Sequence, residues 1–195
     1  MPAAGAGRPG RTWTGNGSMH MRTVNLSAAA AVLIAGGLIG VAAADTVDIT
    51  KTAEAQMIDR DGNSVGTVTL RQTHHGTLLH ARLHGLAPGV RGFHIHETGV
   101  CEPPDFTSAD GHYNPTGDKH GFLAEEGMHA GDLPNIHIPE SGELEIEVLA
   151  HMVDLDDNLF DEDGSSIVIH EDPDDYETDP AGDAGPRIAC GVIER

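Results

Sequence analysis

Residues 92–101 read GFHIHETGVC, and the first part of this stretch alternates large apolar residues with histidines. Phe93 and Ile95 alternate with His94 and His96, which is the period of two that is typical of a β-strand. Side chains two positions apart lie on the same face of a strand, so the two imidazoles can bind one metal ion. A pair of this kind is common in a histidine-rich chain, so a metal site needs further ligands elsewhere.

Further candidate ligands follow in a glycine-rich stretch. His112, His120 and His129 come next along the chain, and Asp132 lies three residues after the last of them. Five glycines between positions 111 and 131 permit the sharp reversals that bring such side chains together. Three imidazoles and one carboxylate suit a tetrahedral zinc ion. His170, which ends a later apolar run, is a further candidate ligand.

These candidates outnumber the ligands that one metal ion needs. Imidazole nitrogens suit both copper and zinc, whereas four nitrogens favour copper(II) and a set with a carboxylate favours zinc. The pattern therefore predicts two neighbouring metal sites, which can share a ligand.

The rest of the chain indicates an all-β fold. Alternation recurs at Val47/Ile49 and in the ranges 65–70, 79–83, 144–148, 167–169 and 190–192, with turn residues between these runs. In the range 65–70 the pattern places Val65 on the face opposite Val68 and Leu70. Short strands at this spacing predict an antiparallel sandwich or barrel. Residues 98–132 and 171–187 resist assignment as strands, and loops of that length are usually functional.

An uncharged run near the N-terminus indicates export. Residues 27–44 read SAAAAVLIAGGLIGVAAA, follow Arg22 and end in an alanine triplet, which is typical of a secretory signal cleaved before Asp45. We therefore expect residues 1–44 to be removed and residues 45–195 to form one domain in the periplasm or outside the cell. An uncleaved anchor is the alternative, because the run is about long enough to span a bilayer. The first translated residue is left open between Met1, Met19 and Met21.

The charge of the chain argues against two classes of partner. The sequence has 31 acidic and 11 basic side chains, a formal net charge of −20. Residues 1–44 hold three arginines and no acid, so the exported part keeps 31 acidic and 8 basic side chains, a charge of −23. Nucleic acids and anionic membranes are bound by basic surfaces, so we expect no nucleic-acid partner and no membrane partner after signal cleavage.

The cysteine count agrees with export. Cys101 and Cys190 are the only two cysteines, and an exported protein meets an oxidising compartment. A disulfide is therefore expected in preference to two free buried thiols. Closing a loop of nearly 90 residues contributes about 4–5 kcal/mol in the chain-entropy model.

Five stretches in order along the chain resemble the copper/zinc superoxide dismutases, specifically the exported bacterial type. They are GFHIHETGVC (92–101), GHYNPTGDKHG (111–121), MHAGDL (128–133), IVIHE (167–171) and GPRIACGVI (185–193). The resemblance implies an eight-stranded antiparallel Greek-key barrel, an immunoglobulin-like sandwich, with two long loops over the metals. It also implies an antioxidant oxidoreductase that dismutates superoxide to dioxygen and hydrogen peroxide by alternate reduction and oxidation of a copper ion.

The resemblance assigns metal ligands position by position. It implies copper ligands at His94, His96, His112 and His170. His112 would also bridge to a structural zinc ion, whose other ligands would be His120, His129 and Asp132. One copper and one zinc per chain are therefore expected.

Four further roles follow from the same resemblance. Arg187 would line the entrance and hydrogen-bond the incoming anion, so it and His112 are the expected catalytic residues. Cys101 and Cys190 would form the disulfide that ties the first long loop to the last strand. Asp174 would join a copper histidine to a zinc histidine, and the neighbouring Asp175 is the alternative for that role.

Other charged and titratable groups receive simpler interpretations. Six histidines away from these motifs are expected to be surface or structural residues: His74, His75, His80, His84, His137 and His151. The acidic run 154–163 lacks the ligand spacing of a calcium loop, so we expect a solvated turn. Residues 171–183 contain seven acids and no lysine, which predicts weak electrostatic steering of superoxide.

Two functions from different classes fit these residues. The first is superoxide dismutation, and the second is an exported copper/zinc-binding buffer protein on the same scaffold without turnover. Retention of all four copper positions and of Arg187 favours the enzyme. The sequence does not choose between a monomer and a homodimer.

Overall fold

The computed structural model describes residues 46–195, so the predicted signal and its cleavage point lie outside the described residues. Nine strands and one turn of 3-10 helix (Thr107–Ala109) form this part of the chain. The strands are β1 (Thr52–Asp59), β2 (Ser64–Thr73), β3 (Gly76–Leu83), β4 (Gly89–Arg91), β5 (Phe93–His96), β6 (Ile136–Ile138), β7 (Leu144–Ala150), β8 (Ser166–His170) and β9 (Arg187–Glu194). Between positions 46 and 195 no helix has the length and apolar character needed to cross a bilayer.

All the strand pairs are antiparallel. Seven strands form one curled sheet in the order β5-β8-β9-β1-β2-β3-β7, and β4 pairs with β6 in a separate ribbon. Only Gly92 separates β4 from β5, so the chain passes from the ribbon into the sheet at this residue. The all-β antiparallel class is confirmed, and counting β4 and β5 as one bent strand gives the eight strands that were expected.

The core lies against the sheet, and β1 contributes two alanines and a methionine to it. Ala53, Ala55 and Met57 alternate along β1 and are at most 4% exposed. The sequence pattern missed this strand because alanines give a weak hydrophobic alternation. The alternation at Val47 and Ile49 was wrong, since both residues precede β1 and are 43% and 49% exposed.

A β-bulge corrects the predicted face of one residue. The pairing of β1 with β2 shifts between Met57 and Ile58, which leaves Val65 as an extra residue. Val65 is therefore buried together with Val68, although a strict period of two places them on opposite faces. Gly66 has a φ of +131°, and a Cβ there would lie 2.0 Å from the carbonyl oxygen of Arg82. Only glycine fits this position.

Two long loops leave the sheet at neighbouring places. The first joins β5 to β6 and includes residues 97–135, and the second joins β8 to β9 across residues 171–186. Cys101 in the first loop forms a disulfide with Cys190 in β9, with the two Cα atoms 5.6 Å apart. The predicted disulfide and the two predicted loop segments are confirmed.

Candidate metal centre

The paired strands β5 and β8 and the first long loop position most of the predicted ligands. In the pairing of β5 with β8, His94 lies opposite Val168 and His96 lies opposite Ser166, and β8 ends at His170. The loop returns to β5 through β-bridges from His94 to Asp132 and from His96 to His112. The register therefore brings residues that are up to 76 positions apart onto one side of β5.

A glycine permits this close return of the loop. The amide of Ile95 donates to the carbonyl of Gly131, and the amide of Tyr113 donates to the carbonyl of Ile95. A Cβ at Gly131 would lie 2.2 Å from the carbonyl oxygen of Ile95. Any other residue would push the loop away from β5 and separate the candidate ligands.

Four histidines form the first group of candidate ligands. We call His94, His96, His112 and His170 the four-histidine group. One ring nitrogen from each lies within 4.8 Å of the others, and all four side chains are buried. The Nε2 atoms of His96 and His170 lie 3.4 Å apart. The predicted copper positions therefore converge on one point.

Hydrogen bonds orient the rings of this group. His96 Nδ1 lies 2.8 Å from the carbonyl oxygen of Asp110, and His170 Nδ1 lies 3.1 Å from that of Gly185. A carbonyl oxygen only accepts hydrogen bonds, so both Nδ1 atoms carry the proton and both Nε2 atoms have a free lone pair. His94 Nε2 lies 2.7 Å from Asp174, which leaves its Nδ1 facing the group.

Two buried ring nitrogens have no partner among the described residues. They are His94 Nδ1 and His112 Nε2, and each belongs to the four-histidine group. An unpartnered buried nitrogen is costly, and a metal ion would satisfy both atoms. The donor set, with four imidazole nitrogens and no carboxylate, fits copper.

Three histidines and one carboxylate form the second group, which we call the His-Asp group. It consists of His112, His120, His129 and Asp132, all buried, with their ligand atoms within 4.8 Å of one another. The Nδ1 atoms of the three rings lie 2.8, 3.0 and 3.4 Å from Asp132 Oδ1. Three nitrogens and one oxygen at this spacing fit tetrahedral zinc with no open position.

His112 is shared between the two groups. Its Nδ1 faces Asp132 in the His-Asp group, and its unpartnered Nε2 belongs to the four-histidine group. A single ring can therefore bridge two metal ions.

Asp174 links the groups a second time. Its Oδ2 lies 2.7 Å from His94 Nε2, and its Oδ1 lies 3.0 Å from His120 Nε2. Asp174 is 4% exposed, whereas the neighbouring Asp175 is exposed and hydrogen-bonds within its own turn to Thr178. The structure therefore brings Asp174 to the metal groups and leaves Asp175 outside.

Comparison with known proteins gives the family. The model for copper/zinc superoxide dismutase (SODC) matches residues 64–193. The chain belongs to the copper/zinc superoxide dismutase family. Copper and zinc are the cofactors of this family, and the two groups described above could hold metal ions.

Relatives of this superoxide dismutase family are similar over most of the chain. A copper/zinc superoxide dismutase of Aquifex aeolicus is 46% identical over 166 residues, which cover 83% of this chain and 96% of the relative. The crystal structure of a SOD-like protein from Bacillus subtilis is 41% identical with a TM-score of 0.69, covering 71% of this chain and 96% of that one. The copper/zinc superoxide dismutase of Brucella abortus is 30% identical with a TM-score of 0.63, covering 74% and 100%.

Arg187 lies beside an open side of the four-histidine group. His96, His112, His170, Thr107 and Arg187 line the same cavity. The guanidinium of Arg187 donates to the carbonyl oxygens of Phe106 and Asp110, and the second of these also accepts from His96. These bonds hold the guanidinium beside this cavity.

Sequence reasoning missed the groups that hold the ligands in place. Asn135 accepts from the amide of Asp174 and donates to its carbonyl, at distances of 2.9 and 2.8 Å. The carbonyl oxygens of Asp110 and Gly185 orient two histidines, as described above. A backbone carbonyl carries no residue-specific pattern, so no motif could have revealed these contacts.

The six remaining histidines of the described chain lie outside both groups. His80 lies 2.9 Å from Glu145 on the neighbouring strand. This placement agrees with the structural or surface roles expected from the sequence.

Burial keeps the four-histidine group neutral in the metal-free protein. Burial lowers the pKa of His170 to about 3 and that of His112 to about 4, because a charged ring loses its hydration there. The pKa values of His94 and His96 are lowered for the same reason. Neutral rings are the form that binds metal, so protons compete little with metal binding near neutral pH.

The His-Asp group contains the opposite case. Burial disfavours the charged ring of His120, but hydrogen bonds to Asp132 and Asp174 outweigh it and raise the pKa of His120 to about 9. Burial likewise opposes the charge on Asp132 and Asp174, yet their hydrogen bonds to the histidines hold both pKa values below the usual range. Without metal, His120 is therefore a protonated ring between two carboxylates.

These pKa shifts predict that the metal-free protein loses stability between pH 7 and pH 5. The unfolded chain protonates its histidines near pH 6.5, whereas the folded four-histidine group does not, so unfolding takes up protons in this window. For one such histidine the loss is about 2 kcal/mol. His120 acts in the opposite direction, since its stabilising contribution is complete below pH 6.5 and is lost as the pH rises through about 9. Denaturant titrations at both pH values measure the difference, and equal stability would contradict it.

Asp174→Asn is expected to weaken metal binding at both groups. The amide keeps the size of the carboxylate but cannot accept hydrogen bonds from both His94 and His120. Loss of such a supporting carboxylate lowers metal affinity by about 10–100-fold. Chelator competition for copper and zinc measures the change, and Asp175→Asn is the matched control. Equal affinities in the two variants would show that Asp174 does not orient the ligands.

Proposed function

We propose that this protein dismutates superoxide to dioxygen and hydrogen peroxide, with copper in the four-histidine group and zinc in the His-Asp group. The shared ring of His112 carries this proposal, because its two nitrogens face the two groups. When bound, copper supplies the alternating one-electron oxidation and reduction of superoxide. Zinc has no redox chemistry, and its closed donor set supports a structural role.

The chain's own residues prepare the four-histidine group for an anion. The hydrogen bonds from His96 and His170 to backbone carbonyls fix the rings, so their free nitrogens would already be oriented to hold a metal ion. Arg187 presents a guanidinium in the same cavity and can donate a hydrogen bond to the anion there. It therefore positions and stabilises superoxide near the open side of the group.

His112 is the proposed proton carrier. Its Nε2 faces the four-histidine group and has no hydrogen-bond partner among the described residues. The ring also lines the open cavity, although Nε2 itself is buried, so a proton can reach it only through water that enters this cavity. Peroxide needs protons to leave as hydrogen peroxide, and Nε2 could hold and donate one only while that nitrogen is not bound to a metal.

A copper/zinc-binding buffer protein without turnover is the second candidate function. The Bacillus subtilis relative is described only as SOD-like, so membership of the family alone does not decide activity. The complete four-histidine group and the placement of Arg187 at its open side favour the enzyme.

Turnover and its salt dependence test the proposal. We expect the protein loaded with both metals to dismutate superoxide much faster than free copper does. The rate constant should stay level or rise between about 20 and 200 mM ionic strength, because screening weakens the repulsion of superoxide by an acidic protein. Pulse radiolysis measures both quantities. Bound metals without turnover would support the buffer protein, and a steep fall with salt would contradict weak steering.

The export of the protein is also part of the proposal. The uncharged run at residues 27–44 and the disulfide between Cys101 and Cys190 both support a periplasmic or extracellular location after removal of residues 1–44. N-terminal sequencing of the exported protein tests the cleavage, with Asp45 as the expected first residue. Sedimentation equilibrium of the same material distinguishes a monomer from a homodimer.

A further inference from the structure

The cavity in front of the four-histidine group has an uneven charge. One arginine, Arg187, and two acidic residues, Glu97 and Asp110, line it. Residues 171–183 carry the seven acids that predict weak steering, but the residues of that range in the lining are a proline and an alanine. The acidic residues that an entering anion meets therefore belong to the first long loop.

Asp110 has a backbone conformation that is unfavourable for any residue other than glycine. Its φ is +57° and its ψ is −146°. Three hydrogen bonds hold it there, because its amide donates to the carbonyl of Thr107 and its carbonyl accepts from both His96 and Arg187. Glycine would make the same three bonds without strain. These contacts therefore need the backbone at this position and not the carboxylate.

The carboxylate of Asp110 makes no contact that holds the fold together. Within residues 46–195 its oxygens take part in neither a hydrogen bond nor an ion pair, and the residue is exposed in the lining of the cavity. Asp105 in the same loop differs, since its carboxylate accepts from the amide and the hydroxyl of Thr107. An exposed and unpaired carboxylate beside Arg187 can act on an entering anion through its charge.

A negative charge in this place acts differently on monoanions and dianions. The Coulomb energy of an ion is proportional to its charge, so Arg187 alone attracts a dianion twice as strongly as a monoanion. The cavity has a volume of about 530 Å³, which is large enough for either kind of anion. The carboxylate of Asp110 repels a dianion twice as strongly, so it offsets part of the preference that the guanidinium creates.

We propose that Asp110 is a specificity-determining residue, whose carboxylate shifts the preference of the cavity from dianions towards anions with one negative charge. Superoxide carries one negative charge, so this selection disfavours divalent competitors at the four-histidine group. The carbonyl of the same residue positions His96 and Arg187. The selection between anions stands alone, and its benefit for superoxide rests on the proposed function.

Anion binding to the copper- and zinc-loaded protein tests the selection without turnover. Azide is the monovalent probe, because its binding to copper(II) changes the visible spectrum, and sulfate is the divalent competitor at constant ionic strength. Asp110→Asn removes the charge and keeps the size of the side chain. We expect this change to raise the affinity for azide about three-fold and that for sulfate about ten-fold, since the Coulomb energy doubles and the second factor is the square of the first.

The matched control is Glu102→Gln, which removes one charge from an exposed position of the same loop outside the cavity. Its affinities for azide and sulfate should equal those of the parent. Equal gains for the two anions in Asp110→Asn, the same gains in the control, or no azide binding in any of the proteins would overturn the selection.

Asp110→Gly separates the charge from the backbone conformation. It should give the same anion affinities as Asp110→Asn, together with a higher denaturant midpoint than the parent because glycine adopts this conformation without strain. Different affinities in the two variants would show that the charge does not govern the selection. A midpoint no higher than that of the parent would contradict the strain at this residue.

Pulse radiolysis tests the benefit for superoxide. At constant ionic strength, sulfate should inhibit Asp110→Asn at about a tenth of the concentration that inhibits the parent, because its affinity has risen by that factor. Equal inhibition of the two proteins would contradict the benefit. If the parent does not dismutate superoxide at all, the proposed function fails, and the azide and sulfate titrations still decide the selection.

Discussion

His170→Ala is expected to abolish dismutation while zinc stays bound. His170 belongs only to the four-histidine group, whereas His112 belongs to both groups, so this change removes a copper ligand without touching the His-Asp group. The three remaining nitrogens provide a weaker and less regular copper site. We expect a loss of activity of at least 100-fold together with a lower copper content, measured by pulse radiolysis and elemental analysis of the same sample.

A surface histidine provides the control for this variant. His137 lies on β6, is exposed and belongs to neither group, so His137→Ala should keep both metals and full activity. Retained turnover in His170→Ala would contradict the copper assignment. Loss of zinc from it would show that the two groups are not independent.

Removal of the disulfide is expected to cost about 4–5 kcal/mol of stability. Cys101 and Cys190 are 89 residues apart, and the cost in the chain-entropy model comes from the freedom that the unfolded chain regains when such a loop opens. The double change Cys101→Ser with Cys190→Ser should lower the denaturant midpoint of the metal-free protein by the corresponding amount.

The disulfide also supports the entrance of the metal centre. Cys101 lies in the loop that carries Asp110, whose carbonyl accepts from both His96 and Arg187. We therefore expect the serine variant to bind copper less tightly as well. Reduction of the parent protein is the control, because it opens the same loop without a substitution. A stability change below about 1 kcal/mol in both cases would contradict the loop-closure argument.

The strand that carries the first two ligands could be predicted from the sequence because its pattern is local. Alternation of apolar residues with His94 and His96 depends only on strand geometry, and β5 has this geometry in the structure. The same reasoning failed for β1, where alanines give little contrast, and for Val65, where a bulge changes the face. Period-two patterns describe regular strands, so they cannot anticipate an inserted residue.

The choice between Asp174 and Asp175 required the folded chain. Both are aspartates, and each lies a few residues after His170. Only contacts with His94 and His120, 80 and 54 residues away, distinguish them. A contact between residues that are far apart in the sequence cannot be inferred from the spacing of neighbouring residues.

The sequence by itself determined the types of donor, the all-β class and the family, because these depend on residue identity, periodicity and motif order. Only the tertiary structure decided which nitrogen of each ring is free and which carboxylate joins the two groups. Ring orientation depends on the group that the other nitrogen contacts, and for His96 and His170 that group is a backbone carbonyl. A carbonyl is present in every residue, so its position becomes informative only when the loops are folded over the strands.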